Sequence, residues 1–309
     1  MKRGPWTARI TAVAVCATAP ASAQQIADTA FRPDVGPPTF TTDQGPRLAI
    51  DEGHRNFHTA GGRYRAFADL ARRDGYRVRP LSGILSEVTL GSIDVLVIAN
   101  ALHPDNEENW TLPVASAFSP AEIAAVRGWV ERGGALLLIA DHMPFAGAAA
   151  DLAAAFGFEL SNGFALDTVR RDAAMVFRRS DTSLATNAIT AGRGPAERVD
   201  SVVTFTGSAF RSPTDAIPLL TLRTSVVSLE PDTAWQFAES TPRVPVGGWW
   251  QGAVARYGRG RIAVFGEAAM FSAQLAGPDG TPMGMNVPAA DRNAQFALNV
   301  LHWMSGLLD

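Results

Sequence analysis

Short apolar runs alternate along the chain with segments in which apolar residues recur at helical spacing. Four of these runs are nearly continuous and too short for helices, and they predict buried strands. They span 47–50, 93–99, 135–140 and 261–265. Residues 76–80 alternate between polar and apolar and predict a further strand. Helices are predicted from three segments. These are 62–74, a serine-proline-x-glutamate start at 119 that runs to the glycine pair at 133, and about 291–305.

Strands that alternate with helices are typical of an α/β fold, here a flavodoxin-like, mostly parallel sheet flanked by helices. Residues 197–257 contain several short alternating segments, which predict a β-rich antiparallel addition in the C-terminal half. Residues 24–46 are rich in Pro, Thr, Asp and Gln, and they predict a linker or a strap across the surface. We therefore expect one α/β domain over 47–309, with a β-rich insertion at about 197–257.

Residues 1–23 have the three parts of a secretory signal peptide. Lys2, Arg3 and Arg9 form a positive start, an apolar stretch follows, and Ala21-Ser22-Ala23 is a small-residue cleavage site. This segment is too short to span a membrane, and no later run is long and apolar enough. The sequence predicts a periplasmic or secreted protein without a membrane span, cleaved near Ala23.

Composition limits the chemistry of the predicted mature chain. Cleavage of the signal peptide would remove Cys16 and Lys2, which are the only cysteine and the only lysine of the sequence. That excludes a cysteine nucleophile, a disulfide framework and a lysine Schiff base. The full chain has 27 basic against 30 acidic residues, and this slightly acidic balance argues against a general nucleic-acid partner.

Polar residues follow four of the predicted strands at the point where each strand ends. In an open parallel sheet, ligands bind outside the carboxyl ends of the strands, so we expect these residues to share one edge. The residues after the strand ends are Asp51, Glu52 and His54, then Asn100 and His103, then Asp141 and His142, and finally Glu267. The sequence thus predicts where a site lies more clearly than what the site does.

Histidine beside a carboxylate suits both acid–base chemistry and a zinc or manganese site. The catalytic candidates are Asp51, Glu52, His54, Asp141, His142 and Glu267. The candidate ligands for a divalent metal are His54, His58 and His142. Simpler roles are also open, because Asp51 and Asp141 could cap turns and His58 could begin a helix. Trp249 and Trp250 could stack on a sugar or could pack in the core.

Five segments of the sequence together carry a family resemblance. They are Asp51-Glu52-Gly53-His54-Arg55-Asn56-Phe57-His58-Thr59, Gly62-Arg63-Tyr64, Ala140-Asp141-His142, Gly258-Arg259-Gly260-Arg261 and Gly266-Glu267-Ala268-Ala269-Met270-Phe271. Together they resemble a bacterial secreted family of unknown function. That resemblance implies a fold similar to the class I glutamine amidotransferases and related to the GIFT domain of gliding and intraflagellar-transport proteins. It does not imply amidotransferase activity, because Ala140-Asp141-His142 stands where those enzymes need a cysteine.

Three functions remain open at this point. The first is an exported amidotransferase-like domain that binds a small polar molecule, such as a saccharide, at the carboxyl edge of its sheet. The second is a hydrolase, either metal-assisted or using a histidine–carboxylate pair. The third is a non-catalytic interaction module of the cell envelope. If His54 serves a site, we expect His54→Ala to leave stability nearly unchanged.

Overall fold

The computed structural model describes residues 25–170 and 174–309, so the predicted signal peptide lies outside the described residues. The strands are β1 (Gln25–Ala27), β2 (Arg47–Asp51), β3 (Arg77–Leu81), β4 (Val95–Ala99), β5 (Ala135–Ile139), β6 (Glu159–Leu160), β7 (Phe164–Asp167), β8 (Met175–Arg178), β9 (Ser201–Thr204), β10 (Phe210–Arg211), β11 (Ile217–Thr221), β12 (Val226–Leu229), β13 (Arg243–Pro245), β14 (Trp250–Tyr257), β15 (Gly260–Phe265), β16 (Ala273–Ala276) and β17 (Thr281–Gly284). The α-helices are α1 (Arg65–Arg73), α2 (Glu87–Leu90), α3 (Pro120–Glu131), α4 (Phe145–Ala154), α5 (Ala188–Ala191) and α6 (Asn293–Met304).

A nine-stranded sheet forms the centre of the molecule, in the order β3-β2-β4-β5-β15-β14-β10-β6, with β11 also paired to β14. The first five strands are parallel to their neighbours. The remaining strands are antiparallel, beginning where β14 pairs with β15 across a tight turn. The predicted α/β class is confirmed in part, since a set of parallel strands is covered by helices on both faces. The sheet is more mixed than predicted, because a short hairpin can only join antiparallel strands.

The parallel strands are apolar because both of their faces are covered. Every residue of β4 and β5 is buried. On one face, residues such as Ile50 and Leu137 pack with α1 and α6, while alternate residues such as Leu96 and Leu138 pack on the other face with α3 and α4. This two-sided burial explains why period-2 patterning is lost in these strands and why the runs look continuously hydrophobic.

Helix α4 is missed by the sequence pattern. Six of its residues are buried, and its alanine-rich sequence is apolar on most faces. An amphipathic period is therefore absent, and no side chain caps its first turn at Pro144. In contrast, α3 begins at the predicted position, where Ser119 and Glu122 form a reciprocal capping box.

The N-terminal segment crosses the surface and ends at the central sheet. β1 pairs antiparallel with β16 in a small sheet completed by β17. No strand or helix follows until β2 at Arg47, and Phe31, Val35 and Phe40 pack against the main core on the way. Thr39 Oγ1 lies 2.9 Å from His302 Nε2, which attaches this segment to the last helix.

The β-rich part begins earlier in the chain than expected. β6 pairs antiparallel with β10, and residues 161–196, whose sequence is polar and irregular, contain further strands. Within that stretch lie β7, which pairs with β12, and β8, which pairs with β9. These strands are only four residues long, too short to show a clear alternation.

Among the helices that the structure describes, none combines the length and apolar character needed to cross a membrane.

Candidate functional site

The parallel strands bring the predicted site residues to one edge of the central sheet. Asp51 ends β2, Asn100 follows β4, Asp141 lies two residues after β5, and Glu267 lies two residues after β15. Within this edge the residues separate into two regions. One is a closed group of side chains around His54, and the other is an open cavity between the strand ends and the β-rich part of the chain.

The His54 cluster consists of Asp51, His54 and Glu122. His54 Nδ1 lies 2.9 Å from Asp51 Oδ2, and His54 Nε2 lies 3.0 Å from Glu122 Oε1. Glu122 also accepts hydrogen bonds from the Ser119 and Leu85 backbone N–H groups. The imidazole packs against Phe118, with ring centroids 4.7 Å apart. Both ring nitrogens are therefore occupied, and the cluster ties the loop after β2 to the start of α3.

The pKa shifts of His54 and Glu122 support a structural role for this cluster. Burial by itself lowers the pKa of His54, but the hydrogen bonds and charges of Asp51 and Glu122 outweigh burial and raise the pKa. Burial likewise acts to raise the pKa of Glu122, yet the hydrogen bonds from Ser119, His54 and Leu85 lower it to about 2. A protonated His54 between two carboxylates is a buried ion triad, in which removal of one member leaves charge uncompensated.

Glu122 was missed as a partner of His54. In the sequence it has the position of a capping-box glutamate, and it does fill that role. Its Oε2 receives the Ser119 amide and hydroxyl, while Oε1 faces His54. A carboxylate has lone pairs for several donors, so one residue serves both functions. The geometry now leads us to expect that His54→Ala is destabilising, which reverses the sequence-based expectation.

A cavity of about 700 Å³ opens on the other side of the loop, including solvent at its mouth. Four polar residues from three strand ends line its floor, and aromatic rings form much of its wall. The floor residues are His58, Asn100, Asp141 and His142. The aromatic wall residues are Phe57, Trp110, Phe145, Phe205 and Trp235, and the rest of the lining is Gln25, Thr206, Ala269, Gln274 and Met283.

Asn100 fixes the orientation of the His58 ring. The Asp141 backbone N–H donates to Asn100 Oδ1 at 2.9 Å, so the amide nitrogen of Asn100 must point the other way. That nitrogen donates to His58 Nδ1 at 3.3 Å. A neutral imidazole that accepts at Nδ1 carries its hydrogen on Nε2. Asn100 itself has a φ of 51°, in the left-handed region. Asparagine tolerates this conformation better than most residues, and it is enriched at functional sites.

His58 remains neutral at ordinary pH. Burial lowers its pKa to about 3, and the charges of Arg63 and His142 act in the same direction. The ring packs against Tyr64, with centroids 4.6 Å apart. No hydrogen bond to Nε2 occurs within the part of the chain that the structure describes. His58 therefore offers the cavity one N–H donor.

His142 offers the opposite group. Its Nδ1 lies 2.6 Å from the Met143 carbonyl oxygen, and since a carbonyl only accepts, Nδ1 carries the hydrogen. In the neutral ring, Nε2 is then an acceptor. The ring stacks on Phe164 at 4.4 Å and contacts Trp235 at 4.7 Å, which holds its plane. The cavity floor thus combines a histidine donor, a histidine acceptor and the carboxylate of Asp141.

Glu267 lies behind the cavity rather than in its lining. It is fully buried, and its carboxylate accepts hydrogen bonds from the Ala269 and Met270 backbone N–H groups at 3.0 and 2.7 Å. Burial and the nearby charge of Asp141 raise its pKa well above the usual range, against the effect of these hydrogen bonds. Glu267 therefore organises the turn after β15.

The remaining candidates lie elsewhere. Glu52 accepts the Ala60 backbone N–H at 2.8 Å and lines a shallow surface depression, not the cavity. His103 is outside the cavity and accepts the Asp105 backbone N–H in a polar turn. Trp249 packs against the core beneath the Arg211 guanidinium, so the tryptophan pair forms no wall of the cavity.

The three candidate metal ligands do not converge. Carboxylates occupy both nitrogens of His54, whereas His58 and His142 face the cavity. Over residues 25–170 and 174–309, no group of three or more His, Cys, Asp or Glu side chains is arranged to hold a metal ion. The donor set of the cavity therefore does not fit a metal centre of the usual three or four ligands.

The aromatic wall carried little signal in the sequence. Trp110, Phe145 and Trp235 come from separate loops and helices, and none belongs to a motif. Trp235 has a φ of 67°, which is a marked outlier for a bulky residue, and it is half exposed. Only the fold shows that these rings surround His142.

Comparison with known proteins gives the fold. No protein-family model matches the chain, and no curated protein matches it. Among solved structures, the N-terminal domain of mmIFT52 superposes with a TM-score of 0.58 at 12% identity, covering 84% of this chain and 97% of that one. A cytoplasmic protein from Salmonella typhimurium LT2 has a TM-score of 0.49 at 13% identity, covering 84% of this chain and 98% of that one. A ThuA-like protein from Bacteroides uniformis has a TM-score of 0.47 at 13% identity, covering 87% and 95%. At such low identity, the likeness to mmIFT52 shows a shared fold alone.

Proposed function

We propose that the chain is an exported α/β protein that binds a small, uncharged polar ligand of the saccharide class in the cavity at the carboxyl edge of its sheet. One observation carries this proposal. His58, Asn100, Asp141 and His142 converge from three loops on the floor of a single cavity, and the two histidines present opposite hydrogen-bonding groups. Such convergence of polar groups in a concave, partly apolar site is typical of ligand pockets.

The lining supports a polyhydroxylated ligand. Hydroxyl groups donate and accept at once, which suits His58 Nε2, His142 Nε2 and the Asp141 carboxylate together. Aromatic walls bind the apolar faces of a sugar ring by burying them. No arginine lines the cavity within the described residues, and Asp141 is its one carboxylate. A phosphate or carboxylate ligand would lack a cation there.

Export and family membership belong to the same proposal. The basic start, apolar segment and Ala21-Ser22-Ala23 site support secretion with cleavage near Ala23. The motifs around Asp51, Asp141 and Glu267 support a relationship with amidotransferase-like proteins and the GIFT domain, and the fold is compatible with it. Glutamine amidotransfer is not part of the proposal, since Asp141-His142 replaces the cysteine elbow.

Calorimetric titration of the purified mature chain with a panel of neutral mono- and disaccharides tests this function. His142→Gln replaces the ring acceptor, which the Met143 carbonyl holds in position, with a flexible amide, so we expect about a tenfold loss of affinity, as for one hydrogen bond to a buried group. His103→Gln is the matched control, because His103 is a histidine outside the cavity, and it should bind like the unaltered chain. Equal binding by both variants, or no saccharide bound at all, would refute the proposal.

A hydrolase is the second candidate, and the orientation of His142 favours it. With Nδ1 held by the Met143 carbonyl, Nε2 can take a proton from a water molecule in the cavity. That water would attack an ester carbonyl, the His58 Nε2–H would stabilise the developing oxyanion, and the proton would pass from His142 to the leaving alcohol. Hydrolysis of nitrophenyl acetate by the unaltered chain, lost in both His142→Gln and His58→Gln, is the expected result. A rate equal to that of His103→Gln in every variant would remove this candidate.

A further inference from the structure

The rim of the cavity carries two exposed aromatic residues, of which one also lines the cavity and the other does not. Trp235 and Phe237 lie on the loop between β12 and β13, and the two residues are 49% and 42% exposed. Both pack against one buried ring, since the Phe164 centroid is 4.7 Å from that of Trp235 and 5.1 Å from that of Phe237. Large exposed aromatic residues beside a pocket commonly mark an extension of the binding surface.

The loop is held in place by its contacts with the segment before α3. The Ala234 backbone N–H donates to the Trp110 carbonyl at 2.9 Å, and the Leu112 N–H donates to the Asp232 carbonyl at 2.8 Å. The Glu230 N–H donates to the Pro242 carbonyl and closes the base of the loop. These bonds keep Trp235 in its left-handed conformation, which a tryptophan adopts only where its surroundings impose it.

Trp235 belongs both to the cavity lining and to the exposed aromatic pair at its rim. Its indole contacts His142 on the cavity floor and also lines the cavity. Phe237 lies beyond the lining, on the solvent side of Phe164. A ligand that leaves the cavity past Trp235 would therefore meet Phe237 next. The floor groups suit one sugar ring, and the exposed rings suit the apolar face of another.

We propose that Trp235 and Phe237 form a second sugar subsite outside the cavity, so that the ligand is a neutral oligosaccharide with one ring over the histidines and the next on this aromatic platform. This inference rests on the proposed saccharide function and adds the length of the ligand to it. It assigns Phe237 to the second ring alone, whereas Trp235 contributes to both.

Calorimetry with N-acetylglucosamine, glucose and their β-1,4-linked dimers and tetramers tests the platform. In the series that binds, the dimer should bind about tenfold more tightly than the monomer, the gain expected from one aromatic stacking contact. Phe237→Ala should abolish that gain and leave monomer affinity unchanged. Ile84→Ala is the matched control, since Ile84 is 72% exposed and lies outside the cavity lining, and it should keep the full gain.

A second variant separates binding from folding. Trp235→Gly removes the indole and places glycine at a left-handed position, where it is unstrained. We expect weaker binding of monomer and dimer with no loss of thermal stability. If Trp235 were only structural, stability would fall and binding would persist, and that result would overturn the inference.

The outcomes distinguish failure of the aromatic platform from failure of saccharide binding in the cavity. Monomer and dimer binding with equal affinity, or a gain that survives Phe237→Ala, would overturn the platform and leave the saccharide cavity standing. Failure of every sugar to bind the unaltered chain would overturn both. Binding of choline in place of sugars would also overturn both, because the aromatic rings and Asp141 would then be holding a cation.

Discussion

His54 and His58 lie on the same loop after β2, yet the fold surrounds them with opposite partners. His54 is enclosed by the carboxylates of Asp51 and Glu122, which use both of its ring nitrogens. His58 is fixed at one nitrogen by the Asn100 amide and faces the cavity with the other. Histidine–carboxylate proximity at a strand edge is therefore not evidence of a site by itself. A ring nitrogen left without a partner beside a cavity is the more informative feature.

The same difference sets the pKa values of the two rings in opposite directions. Carboxylates outweigh burial at His54 and raise its pKa, whereas burial dominates at His58 and lowers its pKa to about 3. The His54 cluster thus stabilises a charged ring, and the cavity keeps a neutral ring. We therefore expect the two regions to respond differently to substitution, with the largest loss of stability at His54 and the smallest at His142.

The largest effect should come from His54→Ala. The substitution leaves the buried carboxylates of Asp51 and Glu122 without their shared cation, which costs about 3–5 kcal/mol of unfolding free energy. Urea unfolding at pH 6 measures it, with His103→Ala as the control, since that side chain is one-third exposed in its turn. A loss for His54→Ala no larger than that of the control would show that the triad is not structural.

The second-largest loss of stability is expected at acid pH, and it comes from His58. Its folded pKa lies below the ordinary value of 6.5, so the unfolded chain takes up the extra proton first as the pH falls. Its contribution to stability is complete above pH 6.5 and is lost progressively toward pH 3. From the plateau well above pH 6.5 down to pH 4.5, the loss is about 2.7 kcal/mol.

Comparing the unaltered chain with His58→Gln over this range isolates that contribution, because glutamine does not titrate. The stability that His54 contributes depends on pH in the opposite direction. Its contribution is complete below pH 6.5 and is lost as the pH rises through its raised folded pKa. Equal pH dependence in the unaltered chain and in His58→Gln would contradict the assignment of a neutral, buried ring.

Glu267 should give an intermediate effect that depends on the substituent. Glu267→Ala deprives the Ala269 and Met270 backbone N–H groups of their acceptor and should destabilise the chain by about 1–3 kcal/mol. Glu267→Gln keeps one acceptor oxygen and is uncharged, which is the state that burial and Asp141 favour for Glu267, so its loss should be smaller. Thermal unfolding of both variants at pH 7 tests this order, and a larger loss for glutamine than for alanine would contradict it.

The smallest effect on stability is expected from His142→Gln. The ring makes one hydrogen bond, to the Met143 carbonyl, so its replacement should cost about 1 kcal/mol. The same variant should lose saccharide affinity, in contrast to His54→Ala, which should bind normally wherever it remains folded. A His142→Gln chain as unstable as His54→Ala would erase the distinction between the two regions.

Much of the framework could be predicted because its signals are local. The five parallel strands and α1, α3 and α6 follow from apolar runs, helical spacing and a capping box, each of which lies within about a dozen residues. The shared strand edge followed from the α/β pattern. Helix α4 and the short strands between 159 and 196 were missed, because a helix buried on most faces and a four-residue strand carry no clear period.

The division of the site could not be predicted, because it depends on contacts between distant residues. Glu122 lies 68 positions from His54, and Asn100 lies 42 positions from His58. The sequence by itself determined which residues would reach the strand edge, since chain direction and hydrophobic pattern fix where a buried strand ends. Only the tertiary structure decided which histidine would be paired and which left open. Hydrogen bonding and desolvation act over a few ångströms in space, whatever the separation along the chain.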